Sequence, residues 1–230
     1  MIPTKTKITL LPLLILASLC VAQTPGAPLA AKATAAPAVT FSFDFPQSQP
    51  SNYSIVVQSS GEAEYRTAAG EETSPAPDIT NFTMSPATRS QIFDLAQRAR
   101  FFDGNFNYKG KVANTGTKTL AFDDESRHFH TTYNYSTNPA IQQLTEIFEG
   151  ISDTMQFGRN LEDAYQHQRL ALDEQLKSME EQAKDGRLQE LQAIAPILKE
   201  ISDDPSVMNI ARARAQRLLL NAGEQGRSPK

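Results

Sequence analysis

The sequence contains no tryptophan, a single cysteine and only three histidines. Cys20 lies inside an N-terminal apolar run, so the rest of the chain has neither thiol nor disulfide and its fold rests on burial alone. Positive charge is not in excess either. Lys and Arg number 22 against 26 Asp and Glu, for a net charge of −4 and a pI near 5.5. That balance argues against a nucleic-acid binder, which usually shows a strongly basic face. The familiar catalytic signatures Gly-x-Ser-x-Gly, His-Glu-x-x-His and Ser-x-x-Lys are missing from residues 23–230.

The N-terminus reads as an address. Lys5 and Lys7 precede an apolar run, Ile8–Ala22, that contains Pro12 and is shorter than the roughly 20 residues of a membrane span. Cys20 and Ala22 supply small residues before Gln23, so residues 1–22 are expected to be a cleaved secretory signal. Leu19 stands where a lipoprotein signal needs a small residue, and anchoring through Cys20 is not expected. Cleavage leaves 20 basic against 26 acidic residues, net −6, with no membrane span behind it. The expected location is periplasmic or secreted.

Residues 23–38 are mostly Ala, Pro, Thr and Gly with Lys32 as the only charge, the composition of a flexible linker. Residues 39–155 mix period-2 and period-3.6 patterns. Phe41, Phe43 and Phe45 alternate with polar residues, as on a half-buried strand. Tyr53–Gln58 and Glu62–Arg66 flank Ser59-Ser60-Gly61 as a hairpin, and Ile79–Met84 reads as a further strand. Ser85-Pro86 starts a helix whose stripe, Ile92, Phe93, Leu95, Ala96 and Ala99, runs to Phe101-Phe102. Lys118–Phe122 and Arg127–Tyr135 make a second hairpin. Asn138-Pro139 opens a helix carrying Ile141, Leu144, Ile147, Phe148, Ile151 and Met155.

From Leu161 the strand signals stop. One long helix is predicted from Leu161 to near Asp185-Gly186, a second over 188–201 kinked at Pro196, and a last one from Asp203-Asp204-Pro205 to Gly223. The fold class expected is therefore α+β: a small antiparallel sheet with helices on one face over 39–155, then an all-helical region over 159–222 and a disordered tail at 223–230.

Two resemblances accompany this reading. Tyr53–Gly61, the helix ending in Phe101-Phe102, and the Lys118–Phe122 and His128–Tyr135 strands resemble a small α+β domain of uncharacterised exported bacterial proteins. The likeness covers about residues 53–155 and implies an envelope location without an activity. Residues 188–222 resemble a single HEAT-type helical pair: Pro196, Asp204-Pro205, Val207, Ala211 and Ala215 fall roughly where that repeat places them. Its turn is about two residues shorter than the family pattern. This likeness implies a packing geometry only.

Candidate chemistry is sparse. His128 and His130 are two apart on a strand and leave the same face, which makes half of a metal site that Asp123 or Asp124 could extend. Phe129, Tyr133 and Tyr135 share the other parity and are expected in the core. The stretch Gly110–Thr119 fails as a phosphate loop, because five residues separate its glycines and Thr117 stands before Lys118. Acidic neighbours at Glu71-Glu72, Asp123-Asp124, Glu180-Glu181 and Asp203-Asp204 read as solvated surface. Of the aromatics between Phe101 and Tyr135, Phe106 and Tyr108, beside Gly104 and Gly110, are the best candidates for an exposed binding surface. Arg214, seven positions after Val207, shares the apolar side of the last helix and is expected to pair with an acid of the preceding helix, Glu190 or Glu200.

The function these features imply is an exported bacterial envelope protein that binds another macromolecule without catalysis and without a cofactor. Another envelope protein, or a second copy through the C-terminal helices, is the expected partner. The alternatives are a metal-binding protein or metal-assisted hydrolase using His128 and His130, and an inhibitor-like module acting through loop 104–110.

Overall fold

A computed structural model of the chain describes residues 36–67 and 78–225. The expected signal segment, most of the linker and residues 226–230 lie outside the described residues. Six strands form one antiparallel sheet: β1 (Ala38–Asp44), β2 (Asn52–Gln58), β3 (Glu62–Thr67), β4 (Asp78–Thr83), β5 (Thr117–Asp123) and β6 (His128–Tyr133), in the order β4-β3-β2-β1-β5-β6. The expected α+β class is the one observed. Phe41 sits opposite Ile55 on one side and Leu120 on the other, and Ile55 opposite Tyr65. This row is fully buried. The alternate row of Thr132, Thr119, Ser42, Ser54 and Arg66 faces the other way, as strand period 2 requires.

Helices cover the apolar face. α1 (Pro86–Arg98) starts at Ser85, whose hydroxyl accepts from the Thr88 amide, with Pro86 in the first turn. α2 (Pro139–His167) begins at Asn138, which accepts from the Ala140 and Ile141 amides. α2 spans the sheet from edge to edge. Tyr133 of β6 bonds Thr145, Phe41 of β1 stacks on Phe148 at 5.1 Å, Tyr65 of β3 bonds Ser152, and Asp78 of β4 pairs with Arg159. Thr145 to Arg159 is a rise of about 21 Å, close to the roughly 24 Å of five strand spacings.

The helical boundaries differ from those the sequence suggested. α2 continues unbroken through Gly158, because Ile194 packs 2.6 Å from where a Cβ would stand, so burial outweighs the glycine's poor helix propensity. The helix predicted from Leu161 to near Asp185-Gly186 is instead broken at Gln168, where Arg169 turns back onto Tyr165 and pairs with Asp204. α3 (Leu172–Lys184) follows, burying Leu172, Leu176 and Met179.

Pro196 kinks nothing. It occupies the first turn of α4 (Ala195–Asp203), where its missing N–H has no partner to lose, and residues 191–194 before it form a short 3-10 turn. α5 (Asn209–Gln225) starts later than Asp204, whose side chain closes a turn with Ser206, and it runs past Gly223. The apolar sides of α3, α4 and α5 join the sheet layer in one continuous core.

Candidate functional site

The site with the most built geometry is the loop between α1 and β5, residues 103–116. α1 ends in a left-handed turn with φ near +54°, +54° and +71° at Arg100, Phe101 and Phe102. Each such residue costs about 1–2 kcal/mol. The cost is offset by full burial of Phe102 and by Phe101, which lies 4.5 Å from Phe122 with the Arg127 guanidinium 4.0 Å from its ring.

Beyond this turn the loop has no regular structure, yet its backbone is held at several points. The Asn134 Oδ1 accepts from the Thr115 amide at 2.8 Å, and its Nδ2 donates to the Ala113 carbonyl at 2.8 Å. Asn107 Oδ1 accepts from the Asn134 amide, and the Tyr108 amide donates to the Tyr135 carbonyl at 2.8 Å. From below, the buried Lys118 ammonium donates to the Thr115 carbonyl at 3.1 Å and lies 5.3 Å from the Phe43 ring. Burial lowers the Lys118 pKa from its ordinary value, while Glu149 at 3.9 Å acts in the other direction. Removing the Asn134 side chain leaves the Thr115 amide and Ala113 carbonyl without partners. Asn134→Ala should therefore cost about 1–2 kcal/mol and raise the Thr115 amide exchange rate roughly tenfold, measurable by hydrogen exchange.

What the pinned loop presents is aromatic. Tyr108 is 43% exposed and Tyr135 42%, their rings perpendicular with centroids 5.9 Å apart. Beside them is an open hollow of about 410 Å³ lined by Asn105 to Gly110 and Ser136 to Asn138. The Tyr108 ring lies over Gly110, where a Cβ would come within 2.3 Å of it.

The two aromatic candidates thus separate. Tyr108 is exposed as expected, whereas Phe106 is half-buried against the core. Tyr135, expected in the core, is exposed because β6 and its alternation end at Tyr133. Tyr135 and Asn134 are the site residues that sequence reasoning missed. The Asn138-Pro139 helix start was the available signal, since the few residues before a helix must leave the sheet.

His128 and His130 both lie exposed on the face of the sheet away from the helices, and Asp123 bonds the His128 Nδ1 at 2.9 Å. Among the described residues, no group of three or more His, Cys, Asp or Glu is placed to hold a metal ion. Arg214 is paired, but with α3 and not with Glu190 or Glu200. It reaches Asp173 at 2.8 Å and Glu180 at 2.6 Å, and Arg217 shares Glu180. The helix preceding α5 in sequence is not the only one beside it, and α3 places two carboxylates along the line of α5. Glu190 is engaged elsewhere, 2% exposed, accepting from the amide and hydroxyl of Ser85.

Among the described residues no helix is long and apolar enough to cross a membrane. Compared with protein-family models and with curated proteins, the chain finds no match.

Proposed function

We propose that the protein is an exported component of the bacterial envelope that acts by binding another envelope macromolecule, using the loop 103–116 as its contact surface. The observation that carries this reading is the exposed Tyr108–Tyr135 pair on a loop whose backbone is fixed by Asn134, Asn107 and Lys118. A loop ordered before binding loses little entropy on contact, and exposed tyrosine offers a large amphipathic area with few rotamers. Export is supported by Lys5, Lys7 and the apolar run that follows them.

The test is co-purification from the protein's own cell envelope. Wild type should retain a second component in a native mass spectrum, and Tyr108→Ala should retain several-fold less at unchanged Tm. Equal retention by the variant would remove the loop from the function.

A further inference from the structure

We infer that the hollow beside Tyr108 takes an acidic saccharide, a sugar polymer carrying carboxylates. The inference rests on the proposed role of the loop as a binding surface and names what is bound. Three observations support it independently of one another.

The first is charge. The chain as a whole is acidic, yet residues 104–122 contain Lys109, Lys111 and Lys118 and no Asp or Glu, and residues 126–145 contain Arg127, His128 and His130 and again no acid. These two segments supply every residue that lines the hollow, Lys109 among them. Lys118 is used beneath the loop, while Lys109 and Lys111 are exposed. Arg127 and His128 are held by Asp124 and Asp123, so the positive charge offered at the hollow is that of Lys109, with Lys111 two residues on, and it favours an anion.

The second is the orientation of the carboxamides. Asn105 Oδ1 accepts from the Asn107 amide, Asn107 Oδ1 from the Asn134 amide, and Asn138 Oδ1 from the first amides of α2. Backbone N–H groups can only donate, so each side-chain oxygen is fixed toward the protein. The three NH₂ groups have no protein partner among the described residues. With Lys109 and no carboxylate, the side chains offer the hollow a surplus of donors, which suits a ligand rich in oxygen acceptors.

The third is shape. Tyr108 lines the hollow and its ring stands perpendicular to that of Tyr135, which makes a corner at the edge of the hollow, and the volume falls within the roughly 300–1,000 Å³ of small-ligand sites. The C–H bonds on one side of a sugar ring carry partial positive charge and meet the negative face of a tyrosine ring, while its hydroxyls and carboxylate remain free for amide and lysine donors. An acidic peptide would satisfy the lysines, but it would leave this corner without a flat apolar partner.

The purified full-length protein is titrated calorimetrically with oligogalacturonate, with the same oligomer methyl-esterified on its carboxyls, and with poly-glutamate. The acidic oligomer should bind, and the ester about tenfold more weakly or not at all, as a lost charge pair of about 1.4 kcal/mol requires. Tyr108→Ala should lower affinity by about tenfold and Tyr108→Phe by no more than about threefold, since the ring face remains. The double variant Lys109→Gln/Lys111→Gln should weaken the acid oligomer and leave the ester unaffected.

Equal binding of ester and acid overturns the charge argument. Binding of poly-glutamate as tight as that of the oligomer overturns the saccharide. If neither saccharide binds while Tyr108→Ala still loses the component retained in the envelope, the saccharide inference falls and the loop's role stands. If that component is also retained, both fall.

Discussion

Glu190→Ala should lower the stability of the protein by about 3 kcal/mol, and Tm by roughly 6–12 °C for a domain of this size. The expectation follows from what the carboxylate does. In a capping box, an acid three residues into a helix reaches back to the amide of its own N-cap. Here the N-cap of α1 is Ser85, and the acid comes from 105 positions along the chain. Glu190 Oε2 accepts from the Ser85 amide at 2.7 Å and Oε1 from its hydroxyl at 2.8 Å, with the Gln192 side-chain NH₂ also donating to Oε2. Ser85 and Glu190 are both buried.

Truncation leaves the buried Ser85 amide with no acceptor, which costs about 1–3 kcal/mol, and leaves the Ser85 hydroxyl with the Thr88 hydroxyl alone. Glu190 also holds a left-handed backbone, φ +60°, an added cost of about 1 kcal/mol that persists because from there the side chain meets the helix start. Glu190→Gln should cost less than alanine, because one oxygen still accepts while the NH₂ opposes a donor. The measurement is thermal and urea unfolding of Glu190→Ala, Ser85→Ala and the double variant. A coupling below about 0.5 kcal/mol would show that the two residues do not act as a unit.

Gly150→Ala is the second large effect, and its sign runs against helix propensity. Alanine favours a helix interior over glycine by about 1 kcal/mol. At position 150 of α2, however, a Cβ would stand 2.5 Å from the backbone carbonyl oxygen of Arg187, and the Gly150 carbonyl accepts from the Gln189 amide. Backbone on the far side cannot rotate away, so the turn between α3 and the 191–194 segment must shift. That turn also carries Glu190.

A net loss of about 2–3 kcal/mol is expected. Gly158→Ala should cost less, because its Cβ meets a methyl group of the Ile194 side chain that can move. Gly223→Ala in α5, where no described atom lies within 4 Å, should stabilise by about 0.5–1 kcal/mol. Three identical substitutions therefore differ in sign and size by what stands opposite. A Gly150→Ala protein as stable as wild type would mean that the turn is not fixed against α2. Gly150 does not line the hollow beside Tyr108, and binding through loop 103–116 should survive Gly150→Ala below its Tm.

Periodicity determined most of the architecture. The alternation at Phe41 and Phe43, the Ser59-Ser60-Gly61 turn, Ser85-Pro86 and Asn138-Pro139 are local signals read by neighbouring backbone groups, and the strands and helix starts lie where they indicate. Local pattern also placed His128 and His130 on the outer face and Tyr108 in an exposed loop. It failed at Gly158, Gln168 and Tyr135. Whether a glycine ends a helix depends on Ile194 filling the space above it, and where β6 releases the chain depends on the loop that Asn134 holds.

The partners of Arg214 and Glu190 could not be read from spacing at all, because 34 to 105 positions separate the bonded groups. Sequence fixes which residues must be buried, since burial follows from composition and period. Which buried polar groups meet is decided when helices pack on the sheet, because that packing brings together atoms with no local relation.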